Sequence, residues 1–279
     1  MASRRFWGKS GWVLLGHRLS VIGLLVLSLA CGRKATGITQ CVLPEDQKGT
    51  LRGYWPVTPI PWAVSWFDFK NDPNRQKVVL SAVNEWNNFA KVSLGYPIFS
   101  PTPFLGDYPG VLPDEIRLSG VAKEGINCSS MYILDPVTNQ FKAPVAVHLQ
   151  SNWENVHKDL SNVMALMTPC TVEGSARYKL AFIELNTQDF WATGKPVPDM
   201  KSIVLHEFGH VLGLGHSCEE KSNQAGVADC FSSRLSKDYR RAVMYPTFQF
   251  YSENTPEKRD RLKSNDMGRF NCIYNNPSN

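Results

Sequence analysis

Apolar and polar positions follow two different periods along this chain, and the switches between them mark its elements. Residues 59–68, Pro-Ile-Pro-Trp-Ala-Val-Ser-Trp-Phe-Asp, crowd aromatic and β-branched side chains behind a proline entry, which predicts a first strand. Asp72-Pro73 then offers a helix cap and a first-turn proline, and Val79, Ala82, Val83, Trp86 and Ala90 recur at helical spacing. This predicts a long helix A whose aromatic members, Trp86 and neighbouring Phe89, belong to the core. Residues 95–113 carry five prolines, too many for regular structure, and read as a long surface loop. Strand candidates follow at 114–118, 130–134, 143–149 and 179–185, before a second apolar helix that starts near Met200. Strands interleaved with helices, without repeats or low-complexity tracts, give a mixed α+β (α/β-like) class.

The two ends of the chain differ in character from its middle. Arg4, Arg5, Lys9 and Arg18 precede an apolar run at 21–30 that is too short to span a bilayer, which reads as a signal peptide over residues 1–30. Ser28-Leu29-Ala30 puts small residues at the −3 and −1 positions of a cleavage site. Cys31 follows directly, as in a bacterial lipobox with Leu29 as its departure, and is the candidate for lipidation. Removing those four basic residues from 30 Lys+Arg leaves 26 against 25 Asp+Glu. The nearly neutral remainder gives no electrostatic reason for a nucleic-acid partner. Residues 31–53 are polar and read as an N-terminal tether, and 54–279 as one catalytic domain.

Seven cysteines are present, and acylation of Cys31 would leave six, a number suited to three disulfides in an oxidising compartment. Six cysteines allow 15 pairings, among which Cys218 with Cys230 is the most local. No C-x-x-C pair occurs, so a cysteine metal site is not expected.

The chemistry is concentrated in His206-Glu207-Phe208-Gly209-His210-Val211-Leu212-Gly213-Leu214-Gly215-His216. On a helix, His206 and His210 lie four residues apart and project from one face, where both ring nitrogens can reach one metal ion. Gly213 permits the sharp turn that ends the helix and brings His216 round as third ligand. Three neutral ligands leave a fourth zinc position open for water, and Glu207 stands beside them as a general base.

This segment resembles the extended zinc signature H-E-x-x-H-x-x-G-x-x-H of the metzincin proteases, and with Ser217 after the third histidine it is most similar to the matrixins. The resemblance implies a twisted, mostly parallel sheet carrying helix A and the zinc helix, with one antiparallel edge strand along the cleft. A smaller C-terminal subdomain with a Met-turn and a final helix completes that fold. Ala242-Val243-Met244-Tyr245-Pro246 supplies the turn, with Met244 supporting the site and Tyr245 and Pro246 as a wall of the substrate pocket. The run Leu262, Asp266, Met267, Phe270, Ile273 and Tyr274 resembles the final helix, which Cys272 would fasten. The connection from His216 to Met244 is longer than matrixins usually have. It reads as an insertion that Cys218 and Cys230 would staple into a lobe.

His148 and His157 lie in a strand candidate and a polar loop, and are assigned no metal. Calcium, which matrixins bind, has no supporting acidic run here. The resemblance implies a zinc endopeptidase acting on protein or peptide substrates; with the signal-peptide reading it is expected to be exported, extracellular or in the cell envelope, monomeric, and attached to the membrane if Cys31 carries lipid. The alternative is a non-catalytic surface protein that uses the metzincin fold for binding, against which intact Glu207 argues.

Overall fold

The computed structural model describes residues 39–69, 71–103, 143–192, 194–220, 224–252 and 255–275. The signal-peptide reading, Cys31 and the strand candidates at 114–118 and 130–134 lie outside these residues.

Four strands form one sheet in the order β1-β2-β4-β3, with β1 at Trp62–Val64, β2 at Val145–Gln150, β3 at Ala165–Thr171 and β4 at Tyr178–Asn186. β1 runs parallel to β2 and β2 to β4, while β3 pairs antiparallel with β4 and, among the described strands, stands at the edge of the sheet. This is the mostly parallel sheet of the metzincin fold with one antiparallel edge. β3 went unanticipated because Ala-Leu-Met-Thr-Pro-Cys-Thr has no clean alternation and contains Pro169. An edge strand tolerates that proline, since the N–H it lacks would point away from the ladder.

A short helix, α1 (Trp66–Phe69), follows β1. Helix A is α2, Pro73–Leu94; the Asp72 carboxylate accepts from Arg75 N–H at 2.9 Å, and Gly95 in the left-handed region closes the helix. The expected stripe is buried throughout: Val79, Ala82, Val83, Trp86, Phe89 and Ala90 all face the core. One turn, α3 (Trp153–Val156), separates β2 from β3. Helix α4, Met200–Val211, is capped by Asp199 and lies against α2, where the Trp86 indole N–H donates to Leu205 O at 3.0 Å. Phe208 on α4 meets Trp62 and Phe99 edge-on, with ring centroids 5.5 and 5.1 Å away, so the helix carrying the histidines is pinned by aromatic packing on its far face. Beyond it come α5 (Lys237–Arg241), a two-stranded ribbon of β5 (Phe250–Ser252) and β6 (Thr255–Pro256), and the final helix α6 (Ser264–Tyr274).

The polar arm departs from the tether expectation over residues 39–53. Glu45–Thr50 form a 3-10 turn with Gln47 and Thr50 buried, and Cys41 is disulfide-bonded to Cys272 on α6. Composition misleads here because the arm spends its polar groups on the domain: the Gln47 amide donates to Ser217 O, and Thr50 O accepts from Gly215 N–H at 2.6 Å. Cys218 and Cys230 are bonded to each other, and Cys170 is disulfide-bonded as well. Bonded cysteines fit an oxidising, extracytoplasmic compartment. Among the described residues no helix is long and apolar enough to cross a membrane.

Candidate metal centre and cleft

His206 and His210 project from one face of α4, and the chain then turns at Gly213 to deliver His216. Gly213 has φ +87°, and a Cβ there would stand 1.9 Å from Gly53 O, so the turn requires glycine for both conformation and space. The three imidazoles offer ligand atoms that all lie within 4.8 Å of one another. The tautomers of the two helix histidines are set from behind. His206 Nδ1 lies 2.7 Å from Val243 O and His210 Nδ1 2.7 Å from Leu214 O, so each Nδ1–H donates to a carbonyl and each Nε2 keeps its lone pair. Burial holds the rings neutral: the pKa of His206 is lowered well below its ordinary value, His210 is lowered to about 4, and His216 to about 3. Desolvation is the main cause in each case. Three neutral imidazoles with converging ligand atoms suit a borderline metal such as zinc.

Glu207 is 5% exposed and accepts from the backbone N–H of Met167 on β3, while its burial pushes the carboxyl up to about 8. It lines, with the three histidines, a cavity of about 650 Å³. Met164 to Met167, Pro169 and Thr171 of the edge strand form one wall, and Pro246, Thr247 and Phe248 border it from the other side.

Met244 is fully buried and sits beneath Gly209 on α4; a Cβ on that glycine would come within 2.2 Å of the methionine Sδ. The turn around it is held by Asp266, whose carboxylate accepts from Val243 N–H at 2.9 Å and Met244 N–H at 3.1 Å. Of the two residues expected to wall the pocket, Pro246 lines it. Tyr245 does not: its ring packs against the Cys218–Cys230 lobe and lies under the Arg259 guanidinium. Thr247 and Phe248 join Pro246 at the cavity instead.

His148 and His157 stand apart from the metal centre. His148 Nδ1 lies 3.7 Å from Asp68, and His157 Nε2 lies 3.1 Å from the buried Glu184 carboxylate.

Three arginines outside any sequence motif also shape the site. Arg269 on α6 is completely buried and donates to Gly215 O at 2.8 Å and to Thr50 Oγ1 at 3.1 Å. It thereby ties the loop before His216 to the arm. Arg259 donates to Tyr245 O at 2.8 Å and to Thr247 O at 2.5 Å, with its guanidinium 4.5 Å from the Phe248 ring centroid, which shapes the cavity wall. Arg52 lines the cavity from the arm. Only the Asp266/Arg269 spacing of i,i+3 on a helix was a usable sequence signal.

A mostly parallel sheet with an antiparallel edge over a cleft, backed by a helix bearing two of three convergent histidines, has the architecture of a metzincin-type metallopeptidase. The family model of the matrixins matches residues 150–228, a stretch that spans β3, β4, all three histidines and Cys218. The match supports a matrixin-like metzincin over that stretch and a metallopeptidase-type function.

Proposed function

We propose that the protein is a zinc-dependent endopeptidase that hydrolyses peptide bonds of protein substrates outside the cytoplasm. The observation that carries this reading is the convergence of His206, His210 and His216 beside Glu207 in a cleft bordered by β3. His206, His210 and His216 would hold the zinc. When bound, zinc supplies Lewis acidity that polarises the scissile carbonyl and acidifies water.

The chain's own residues supply the rest. An extended peptide lying along β3 would bring the scissile carbonyl past Glu207. Glu207 accepts the proton of the attacking water and returns it to the leaving amine, a cycle that leaves the carboxylate ready for the next turnover. Val243 O and Leu214 O keep the His206 and His210 rings in one tautomer and orientation. Met244 supports α4 from below without reaching the substrate. Export rests on the reading of residues 1–30 and on the bonded cysteines, and attachment to a membrane on lipidation of Cys31.

The test is Glu207→Ala. Metal analysis should find zinc retained, while hydrolysis of a peptide library falls by at least about 10²–10⁴ fold. Near wild-type turnover would refute the assignment of the base, and cleavage that survives complete chelation would refute the zinc requirement.

A further inference from the structure

We propose that Arg52 is a specificity determinant that selects an acidic substrate side chain about three to four residues from the scissile bond. This rests on the endopeptidase reading and deepens it.

β3 walls the cleft from Met167, whose N–H reaches Glu207, past Pro169 to Thr171 at the end of the strand.

Arg52 occupies this end of the cleft. Its backbone N–H donates to Gly213 O at 2.7 Å. Next to it Tyr54 exchanges hydrogen bonds with Ala176 and Tyr178, at the end of β3 and β4 marked by Thr171. Gly215 leaves room for the side chain, since a Cβ there would lie 3.0 Å from Arg52 Nε. Among the described residues Arg52 is the one lysine or arginine that lines the cavity, together with Thr171, Tyr178 and His216. From Met167 to Thr171 is four residues, about 13 Å at roughly 3.3 Å each, which sets the position of the substrate residue it meets.

The guanidinium is paired with Glu219 of the disulfide-closed lobe. That pair is exposed, at 44% and 34% for the two side chains, and exposed ion pairs contribute little to stability. A substrate carboxylate can therefore share or replace Glu219 at small cost. The planar guanidinium has further donors to offer a second carboxylate.

The experiment is a positional peptide library cleaved by the full-length zinc-loaded protein, followed by kcat/KM for matched peptides with Glu, Gln or Lys at the selected position. The wild type should prefer Glu over Lys by about ten-fold. Arg52→Gln should collapse that ratio toward one and Arg52→Glu should invert it. Glu219→Gln, which removes the competing carboxylate, should raise it. An absence of acidic preference in the wild type, or a ratio unmoved in these variants, would overturn the proposal while leaving the peptidase reading standing. Failure of the wild type to cleave any peptide would defeat the peptidase reading and this inference with it.

Discussion

Gly209→Ala tests how the Met-turn and the metal site depend on each other. Glycine inside a helix normally costs about 1 kcal/mol relative to alanine, so on propensity alone this substitution should stabilise α4. The surroundings argue the other way. The new methyl would stand 2.2 Å from Met244 Sδ and 3.2 Å from Trp86 Cζ2, whereas an ordinary contact is about 3.5–4.0 Å. Met244 is fully buried under α4, and its turn is fastened by two N–H groups to Asp266, so the sulfur cannot swing out to solvent. Overpacking of this kind costs about 1–3 kcal/mol. The two terms leave the variant between unchanged and about 2 kcal/mol less stable.

The larger consequence falls on the metal. Val243 O, next to Met244, is the acceptor that orients His206 from 2.7 Å. A displaced turn loosens that ring, and loss of such an orienting contact typically lowers metal affinity by about 10–100 fold. Competitive zinc titration and thermal melting with and without zinc measure both effects. The Gly209→Ala, Met244→Ala double variant supplies the control. With the sulfur gone, Gly209→Ala should regain its helical benefit, so the cycle should show coupling of about 1–3 kcal/mol. A Gly209→Ala protein that melts higher and binds zinc as tightly as wild type would refute the reasoning.

Asp266→Asn removes the charge that faces Arg269 and turns an NH₂ toward main-chain donors; unfolding in urea should show a loss of about 3–5 kcal/mol, and a loss under 1 kcal/mol would count against the clamp. Replacing Cys41 and Cys272 by serine opens a link between residues 231 apart, worth up to about 5 kcal/mol of chain entropy, and hydrogen exchange at Gly215 should rise with it. For chelated protein, stability should peak near pH 6.5. His210 and His216, with depressed folded values of about 4 and about 3, contribute stability that is present above their ordinary 6.5 and is lost as pH falls through the folded values. Glu207, raised to about 8, contributes stability that is lost as pH climbs from about 4.5 through 8. A melting temperature flat from pH 4 to 8 would contradict both signs. The Cys218→Ser, Cys230→Ser variant should keep its zinc while the lobe loosens by about 3 kcal/mol, which limited proteolysis at residues 218–230 would detect.

Much of the centre was legible because its chemistry is local. His206, Glu207, His210, Gly213 and His216 span eleven residues, so helical geometry and one glycine turn suffice to bring them together. Helix α2 was legible for a similar reason, since its cap, its first-turn proline and its buried stripe all lie within one stretch. What escaped was long-range or cancelled its own signal. β3 hides behind Pro169, a residue that argues against a strand unless the strand is known to be an edge. Tyr245 and Pro246 are neighbours in sequence, yet only a three-dimensional turn separates the one that faces the lobe from the one that faces the cleft. The arm over 39–53 is polar because its hydrogen-bonding partners are polar backbone groups more than 150 residues away, and composition cannot distinguish such a segment from a solvated tether.

That arm changes how the metal centre is understood. His206 and His210 are fixed by the helix that carries them, but His216 sits on a loop after a glycine and has no regular element of its own. Its backbone neighbours are instead held from both ends of the chain: Gly213 O and Gly215 N–H by Arg52 and Thr50 of the arm, Gly215 O by Arg269 of the last helix, and Ser217 N–H by Met244 O. The Cys41–Cys272 bond joins those two ends to each other. Pre-organisation of a ligand loop requires that its entropy be removed before metal binds, and here that work is done by segments that the zinc signature does not contain. Truncation of the arm should therefore weaken zinc binding through His216 while the α4 histidines stay in place. It would also remove Arg52, so that the metal site and the end of the cleft depend on the same short stretch of chain.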